Sequence, residues 1–333
     1  KFIRYKKAKY GIALNSCTSA LQIALSLSEV NKGDEVIVTG LTFCSTVNVI
    51  ENLGAKPIFV DVHLNDLQIN ETLIENKISK KTKALIIVHM HGYPCSMKKI
   101  KKICKKYSIK LIEDCAHAIE TKYYNKHAGT FGDFGCFSFY STKNLTTIEG
   151  GMLICKLKKH EKLARMLSLH GMTKDAFKRF STSKFMHYDV IMPGFKSNMT
   201  DLNATIGLEQ LKLIEINHLK RKRIWATYQE AFKSSNFITP LEPENKNIKH
   251  AYHLYYLRLK NGNMKKRNLI MEKLNSMGIG TGLHYRGILD LKFYKNKYKN
   301  QIRDTPNSIL FGRTSFCIPL TPHLKIYQVN KII

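Results

Sequence analysis

The fold is decided between Ile109 and Ile154, where the chain reads IKLIEDCAHAIETKYYNKHAGTFGDFGCFSFYSTKNLTTIEGGMLI. An apolar run ends here on the acids Glu113 and Asp114, and a second run, from Cys136 to Tyr140, is followed closely by Lys143. Both runs have the length and composition of short buried strands. Because open α/β sheets bind ligands at the carboxyl ends of their strands, we expect the acid and the lysine to meet at one edge of a sheet.

A carboxylate and an amine brought together in this way suit pyridoxal phosphate (PLP), a cofactor with a basic ring nitrogen and an aldehyde. A lysine amine forms a Schiff base with the aldehyde, and a carboxylate beside the ring nitrogen keeps that nitrogen protonated. Taken singly, each residue has an ordinary interpretation. An Asp at a strand end is commonly a helix cap or a surface group, and one lysine among many is commonly solvated. The wider pattern decides between these interpretations.

That wider pattern resembles the DegT/DnrJ/StrS group of PLP-dependent nucleotide-sugar aminotransferases. EDCAHA at 113–118, FSF at 137–139, KNL at 143–145 and EGG at 149–151 occur in the order and spacing of that group. The resemblance implies that Lys143 holds PLP and that Asp114 stays ionised beside the ring nitrogen. It also implies that the freed Lys143 amine carries a proton between substrate and cofactor. Related sugar dehydratases have histidine in place of this lysine, so we expect transamination, with glutamate as the amino donor.

Further cofactor contacts are implied by the same resemblance. SCTSAL, from Ser16 to Leu21, matches the family's phosphate-binding turn, so Cys17, Thr18 and Ser138 are expected at the PLP phosphate. Small hydroxyl residues at a helix start also leave backbone N–H groups free for an anion, although an ordinary N-cap is the competing interpretation. Phe43 is expected to stack on the cofactor ring, with a core phenylalanine as the alternative. His117 stands where the family carries Gln, Glu or His near the ring oxygen.

A later segment, GFKSNMTDL from Gly194 to Leu202, resembles the part of the family that reaches into the neighbouring subunit's site. Lys196 or Asn198 is therefore expected at the cofactor phosphate of a partner chain, in a homodimer with shared active sites. Most members carry Asn and Arg at these two positions. The Lys and Asn found here are similar to the branch that makes 4-amino-4-deoxyarabinose, which favours a nucleotide-linked 4-keto or 3-keto hexose or pentose. Amino-sugar synthesis for surface polysaccharide or lipopolysaccharide is the expected role.

His284 and Tyr285 match the start of the family's HYxPLH motif and are expected at the substrate. Gly287, Ile288 and Leu289 replace the rest of that motif. This departure leaves open a second function in the same fold, the amination of a cyclitol or another non-nucleotide ketone.

The net charge of +29, from 54 Lys and Arg against 25 Asp and Glu, raises an alternative of a different class. A basic PLP-binding or nucleic-acid-binding protein without turnover would carry such a charge. The lysines are spread over the whole chain, however, and no recognition motif accompanies them. The basic clusters at 98–106 and 220–223 are predicted to be solvated faces of amphipathic helices, with Ile100, Ile103 and Tyr107 on the apolar side of the first. No specific nucleic-acid partner is expected.

Other features exclude further classes. The eight cysteines include no CxxC pair, which indicates reduced, mostly buried thiols rather than disulfides or a zinc site. His89 and His91 resemble the family's VHxxG turn and are predicted to line the site or its rim; no third ligand lies at a suitable spacing, so no metal is expected. The sequence contains no run of 18 apolar residues and no signal-peptide pattern. We therefore expect no membrane insertion and a cytoplasmic enzyme.

The order of elements agrees with the fold that the resemblance implies. Strand-like and helix-like runs alternate from Ile12 to Cys155, as in many α/β proteins. The resemblance implies a fold-type-I aminotransferase, with a large PLP-binding domain at 1–215, built on a mostly parallel mixed sheet, and a small C-terminal α/β domain at 216–333. Between them, residues 171–193 are predicted to form a loop of the kind that serves as an active-site lid or subunit contact.

Overall fold

The structure, a computed structural model, describes residues 1–173, 188–243 and 246–333. Most of the loop predicted at 171–193 lies outside the described residues. Two short parts of it are described, and these hold backbone bonds such as Ile191 N–H to the Gly171 carbonyl, 3.0 Å.

The main sheet has seven strands in the order β1-β9-β8-β5-β4-β2-β3. Six strands run in one direction and β9 runs against them, because β9 pairs antiparallel with both β1 and β8 while the remaining pairings are parallel. This mixed, mostly parallel sheet confirms the predicted fold class. Its strands are β1 (Tyr10–Leu14), β2 (Glu35–Thr39), β3 (Lys56–Val60), β4 (Thr82–Val88), β5 (Lys110–Asp114), β8 (Phe134–Ser138) and β9 (Gly151–Cys155).

Helices cover both faces of the sheet, which explains why its central strands are continuous apolar runs. Val36 and Val38 pack in one core cluster, and Ile37, between them, packs in another with Met97 and Ile100. Each strand therefore divides its side chains between two layers. The first layer holds α2 (Cys17–Leu27), α3 (Ser45–Asn52) and α5 (Lys158–Leu167), and the second holds α4 (Met97–Tyr107).

The basic cluster on α4 is solvated as predicted, but Tyr107, predicted on the apolar side, is 38% exposed. Ile100 is buried, while Lys98, Lys99 and the other lysines of the helix are exposed. The second basic cluster does not, because Arg221 is 2% exposed and forms an ion pair with Glu120. The prediction of a solvated face at 220–223 is therefore wrong for Arg221.

The C-terminal part of the chain builds a separate three-stranded antiparallel sheet in the order β10-β12-β13. Its core is aromatic, with Trp225, Tyr228 and Tyr255 in ring contact. A third small sheet joins β11 to the hairpin of β6 and β7. These strands are β6 (Lys122–Tyr123), β7 (Lys126–His127), β10 (Phe237–Ile238), β11 (Ile248–Lys249), β12 (Tyr255–Leu259) and β13 (Ser315–Ile318).

The remaining helices flank these sheets. The domain boundary predicted at 215/216 falls within the first turn of a 19-residue helix, and it stays a prediction. No helix in the three described ranges is both long and apolar enough to cross a membrane. The remaining helices are α1 (Phe2–Tyr5), α6 (Asp201–Lys212), α7 (Ile214–Phe232), α8 (Met264–Ser276), α9 (Lys292–Lys297), α10 (Pro306–Thr314) and α11 (Ile326–Ile332).

Candidate active site

The predicted site residues gather at the carboxyl edge of the main sheet. Asp114 is the last residue of β5 and Ser138 the last of β8. Gly151, which pairs with Ser138, lies against the start of α2, where a Cβ atom would be 2.6 Å from the Cys17 backbone nitrogen. Only glycine permits this approach, and it brings the end of β8 close to the first turn of α2.

Asp114 is buried and accepts two short hydrogen bonds, besides a long one of 4.0 Å from the Cys17 thiol to its Oδ1. Its Oδ2 accepts from the Thr46 hydroxyl at 2.9 Å and its Oδ1 from the Ala116 N–H at 3.0 Å. Thr42 and Thr46 share a further hydroxyl hydrogen bond, 2.9 Å long. Burial raises the pKa of Asp114, whereas the two hydrogen bonds and the charge of Lys143 oppose that rise. The carboxylate is thus fixed in direction and kept out of solvent.

Lys143 follows β8 in a half-buried turn. Its amine has no hydrogen-bond or ion-pair partner within the ranges that the structure describes, although it is close enough to Asp114 for their charges to interact. Burial lowers the pKa of Lys143, and the charge of Asp114 opposes this. An amine that is desolvated and uncommitted is available for reaction with a carbonyl.

The first turn of α2 has the features of an anion site. Ser16 caps the helix by accepting the Ser19 N–H at 3.0 Å. The backbone N–H groups of Cys17 and Thr18 belong to the unpaired first turn of the helix, where its dipole favours negative charge. The Ser138 hydroxyl accepts weakly from the Tyr140 N–H, 3.4 Å, which leaves its proton free to donate. These groups fit a phosphate.

Three aromatic side chains, Phe43, His117 and Tyr285, form an aromatic wall of the site. The His117 and Tyr285 rings stack with 5.7 Å between centroids, and a hydrogen bond of 3.0 Å joins His117 Nε2 to Tyr285 Oη. Phe43 lies 5.5 Å from the Tyr285 ring and is 53% exposed, so it is not a core residue. His284, beside Tyr285, accepts a hydrogen bond from His91 at its carbonyl oxygen, 2.6 Å. The wall offers flat surfaces on which a planar ring could stack.

Lys196 and Asn198 lie on an extended segment beside the end of β1. The Asn15 N–H donates to the Ser197 carbonyl at 2.8 Å, and Asn198 bridges to Leu14. Both predicted side chains are exposed on the flank of the first turn of α2. Their contact with a second chain stays a prediction.

The VHxxG histidines do not share one role. His91 packs behind the aromatic wall, 6.2 Å from the His117 ring. His89 is fully buried below the site, and its prediction as a lining residue is wrong. Its Nδ1 accepts from the Cys95 N–H, so its Nε2 carries the proton and donates to Glu113 at 3.0 Å.

His89, Glu113 and Cys115 place one ligand atom each within 4.8 Å of one another, the spacing of a metal site. The Glu113 carboxylate, however, already accepts from His89 and from three backbone N–H groups, each at 2.7 Å. A metal would have to displace these bonds. The cluster is better explained as a hydrogen-bonded anchor for the loop at 129–132.

A polar chain behind Lys143 was not predicted from the sequence. Arg221 donates to Glu120, Asn144 donates to the other oxygen of Glu120 at 2.9 Å, and His253 bonds to Asn144 at 2.8 Å. The only sequence signal was the position of Asn144 directly after the lysine. The other members are far apart in the chain and become neighbours through the fold.

Taken together, the site residues fit PLP. The uncommitted Lys143 amine, the buried Asp114 carboxylate, the unpaired N–H groups at Cys17 and Thr18, and the exposed face of Phe43 match the aldehyde, ring nitrogen, phosphate and ring of that cofactor.

Comparisons with known proteins agree with this fit. The model of the DegT/DnrJ/EryC1/StrS aminotransferase family matches residues 1–333. The chain is 40% identical to the uncharacterized protein MJ1066 of Methanocaldococcus jannaschii over 334 residues, covering 100% of this chain and 86% of that protein. It is 36% identical to the spore coat polysaccharide biosynthesis protein SpsC of Bacillus subtilis over 336 residues, again covering 100% of this chain and 86% of the relative.

The fold has solved counterparts. Spr1654 of Streptococcus pneumoniae, assigned as a sugar aminotransferase and solved in its PMP form, superposes with a TM-score of 0.93 at 31% identity. The superposition covers 99% of this chain and 88% of Spr1654. The PLP form of the same protein matches with a TM-score of 0.91.

Proposed function

The chain belongs to the DegT/DnrJ/EryC1/StrS aminotransferase family and is a PLP-dependent sugar aminotransferase, and from this premise we propose that it moves an amino group from glutamate to a nucleotide-linked ketosugar. The acceptor is a 4-keto or 3-keto hexose or pentose. The observation that carries the proposal is the uncommitted Lys143 amine beside the buried Asp114 carboxylate. Family membership also removes the alternative of a binding protein without turnover.

PLP, when bound, supplies an aldehyde that links to amines and a protonated ring that withdraws electrons from the substrate carbon. Lys143 Nζ would make that link in the resting enzyme. Once freed by an incoming amine, Lys143 Nζ would accept the proton from the substrate carbon and would give it back on the cofactor side. Burial, which lowers the pKa of Lys143, increases the fraction of neutral amine that can accept this proton.

The other predicted residues orient the cofactor. Asp114 would bind the ring nitrogen, and Thr46 and the Ala116 N–H hold its two oxygens. The first turn of α2 and Ser138 bind the phosphate. Phe43 would stack on the ring, and His117 would lie near the ring oxygen. Because these groups are fixed by the fold before any ligand binds, little rearrangement is needed for binding.

For the sugar, we place the enzyme near the branch that makes 4-amino-4-deoxyarabinose, on the Lys196 and Asn198 arrangement. His284 and Tyr285 are the substrate-binding residues, and the positive field of a chain with net charge +29 favours a dianionic nucleotide diphosphate. The name of SpsC, a polysaccharide biosynthesis protein, supports a product used in a surface polysaccharide or lipopolysaccharide.

A second acceptor class is favoured by one observation. Ile288 and Leu289, which replace the end of the HYxPLH motif, are buried in the main core and cannot reach a sugar nucleotide. Gly287 fits closely there, since a Cβ atom would lie 2.9 Å from the Ser308 carbonyl oxygen. With fewer contacts for the nucleotide, a cyclitol or another non-nucleotide ketone is the alternative acceptor.

The active unit is a homodimer with shared sites. The helix α6 buries none of its residues within the described part of the chain, and Leu202, on its first turn, is 76% exposed. Ile148, Val190 and Ile191 are exposed as well. Apolar surface of this kind marks a protein interface. All eight cysteines are unpaired, which supports a reducing cytoplasm as the compartment.

An absorbance spectrum between about 300 and 500 nm tests the first half of the proposal. The PLP-loaded protein should show a band that glutamate converts to the pyridoxamine band, and Lys143→Ala should abolish that conversion and all turnover. Lys102→Ala, a change of an exposed lysine on α4, is the control and should behave as the unmodified protein. Retained turnover in Lys143→Ala would overturn the assignment.

A panel of ketones tests the second half. The glutamate-converted protein should regain its original spectrum with nucleotide-linked 4-keto or 3-keto sugars. Recovery with cyclitol ketones alone would move the assignment to the alternative acceptor class.

A further inference from the structure

The side-chain amide of Asn144 has one possible orientation. Its nitrogen lies 2.9 Å from a Glu120 carboxylate oxygen and 3.1 Å from the Ala251 carbonyl, and both of these groups accept hydrogen bonds. The NH₂ group must therefore point toward them. Its oxygen, on the other side, faces His253 Nδ1 at 2.8 Å.

This orientation fixes the tautomer of His253. Because the Asn144 oxygen can only accept, His253 Nδ1 must donate and carry the ring proton. Burial, together with the charges of Lys143 and Arg221, lowers the pKa of His253, so the ring is neutral. Nε2 then bears a lone pair and can only accept.

The ring of His253 borders the active site. The ring lies 4.5 Å from the ring of His117, the residue of the aromatic wall, and it is close enough to Lys143 and His284 for their charges to act on it. No hydrogen-bond donor within the described ranges reaches Nε2. Nδ1 of His91, His117 and His284 is buried without a hydrogen-bond partner. His253 is 6% exposed, so its ring is not completely enclosed.

Two buried charges support the arrangement from behind. Glu120 is fully buried and joins Asn144 to Arg221, which is itself 2% exposed. A buried ion pair of this kind is an expensive way to stabilise a fold, but it fixes the groups bonded to it in one geometry. Here the group so fixed is Asn144, the neighbour of Lys143.

We propose that Arg221, Glu120 and Asn144 hold His253 as a fixed hydrogen-bond acceptor for a hydroxyl of the sugar, next to the carbon that receives nitrogen. The inference rests on the proposed function and adds a specificity residue to it. A neutral acceptor suits a neutral donor such as a hydroxyl. Glutamate carries no hydroxyl, so its half of the reaction does not use this contact.

Two substitutions of His253 separate this role from a structural one. In His253→Asn, the side-chain amide occupies the position of Nδ1 and keeps the bond to Asn144, but the acceptor at Nε2 is lost. In His253→Gln, the longer side chain returns a carbonyl oxygen to the position of Nε2 and gives up the Nδ1 donor. His160→Asn, at a buried histidine on α5 remote from the site, is the matched control.

We expect His253→Asn to lower kcat/KM for the sugar by about 3- to 10-fold, the loss of one neutral hydrogen bond. His253→Gln should keep more sugar activity than His253→Asn, and all three variants should convert with glutamate at the original rate. With the unmodified enzyme, a sugar that lacks the hydroxyl should have a kcat/KM lower by a similar factor than the complete sugar. With His253→Asn, the two sugars should have the same kcat/KM.

If His253→Gln has less sugar activity than His253→Asn, the bond to Asn144 is the important one, and the inference is overturned. An equal loss in both half-reactions would also overturn it. If glutamate converts the unmodified enzyme to its pyridoxamine spectrum but no ketosugar restores the original spectrum, the proposed function fails and the inference fails with it.

The tautomer can be observed without turnover. In nitrogen NMR of the PLP-loaded, histidine-labelled protein, the signals of His253 are identified by their disappearance in His253→Asn. These signals should show a proton on Nδ1 and none on Nε2. In Asn144→Ser the fixed preference should be lost. A proton on Nε2 in the unmodified protein would overturn the inference, whatever the kinetics.

Discussion

The burial of Asp114, which suits cofactor binding, lowers the stability of the PLP-free protein. Burial raises the pKa of this carboxyl, so the folded chain holds the proton more tightly than the unfolded chain does. At neutral pH the ionised group therefore disfavours folding. The penalty disappears as the pH falls below about 3.9, the ordinary value for an aspartate, because both states are then protonated.

Asp114→Asn should accordingly separate activity from stability. We expect kcat to fall by about 100-fold or more, since a charge beside the reacting ring is lost. In urea unfolding of the PLP-free protein at pH 7, the variant should be at least as stable as the original chain, and any advantage should vanish near pH 3.5. Asp133→Asn removes a carboxylate that accepts from the Leu111 N–H, and it should leave turnover unchanged. A variant of Asp114 that is less stable at pH 7 would contradict this account.

Thr46 acts on Asp114 and not on the substrate. Its hydroxyl donates to Asp114 Oδ2 and stabilises the ionised form. Thr46→Val removes that donor at nearly constant volume, so the pKa of Asp114 should rise further and kcat should fall by about 10-fold. Thr46→Ser restores the hydroxyl and should recover most of the rate. The pH dependence of kcat, measured for both variants, distinguishes this effect from a packing defect, which would not move the acid limb.

The sequence predicted those site residues that lie in local patterns, and the structure gathers them at one edge. Asp114 and Ser138 each end a strand, Cys17 begins a helix and Lys143 lies in the turn that follows β8, and such positions can be predicted from neighbours in the chain. The polar chain of side chains behind Lys143 could not be predicted from the sequence. Arg221 and Glu120 are 101 positions apart. Arg221 lies in a lysine-rich part of the sequence, and its neighbours in the chain do not indicate that its side chain is buried. Only tertiary packing decides which charge of a basic run is turned inward.

At the scale of elements, the helices α4 and α6 show what periodicity can predict. The sequence predicted an amphipathic helix at α4, and both segments are helices. In α4 the apolar side is covered, with Ile100 fully buried, while in α6 no residue is buried. The pattern therefore predicts that an apolar face exists, but the partner that covers it is not encoded in the helix itself.

We expect a second copy of the chain to cover α6. Leu202→Asp places a charge on that face and should shift the protein to monomer in sedimentation velocity, with loss of most turnover because the shared sites separate. Leu269→Asp, on the exposed surface of α8, is the matched control and should leave the mass unchanged. A Leu202→Asp protein that keeps both its mass and its activity would contradict the homodimer proposal.

Across the whole molecule, buried histidines set the response to acid. Burial lowers the pKa of His91 and His250 to about 3 and that of His284 to about 4. Burial and nearby lysines lower the pKa of His127 to about 3 as well. Above pH 6.5 these groups are neutral in the folded and unfolded chain alike. Below it the unfolded chain takes up protons that the folded chain cannot, so stability falls as the pH drops from about 6.5 toward 4.

His127, on β7 and outside the active site, allows this slope to be measured. Each such histidine contributes about 1.4 kcal/mol for every pH unit below 6.5. His127→Phe keeps a ring beside Tyr5 and removes the titration, so relative to the original chain it should gain about 1.4 kcal/mol between pH 7.5 and pH 5.5. Urea unfolding of the PLP-free protein at the two pH values measures the difference, and His323→Phe, at an exposed position, serves as the control. An equal response of the two variants would mean that His127 becomes protonated without unfolding, and that its burial does not exclude the charge.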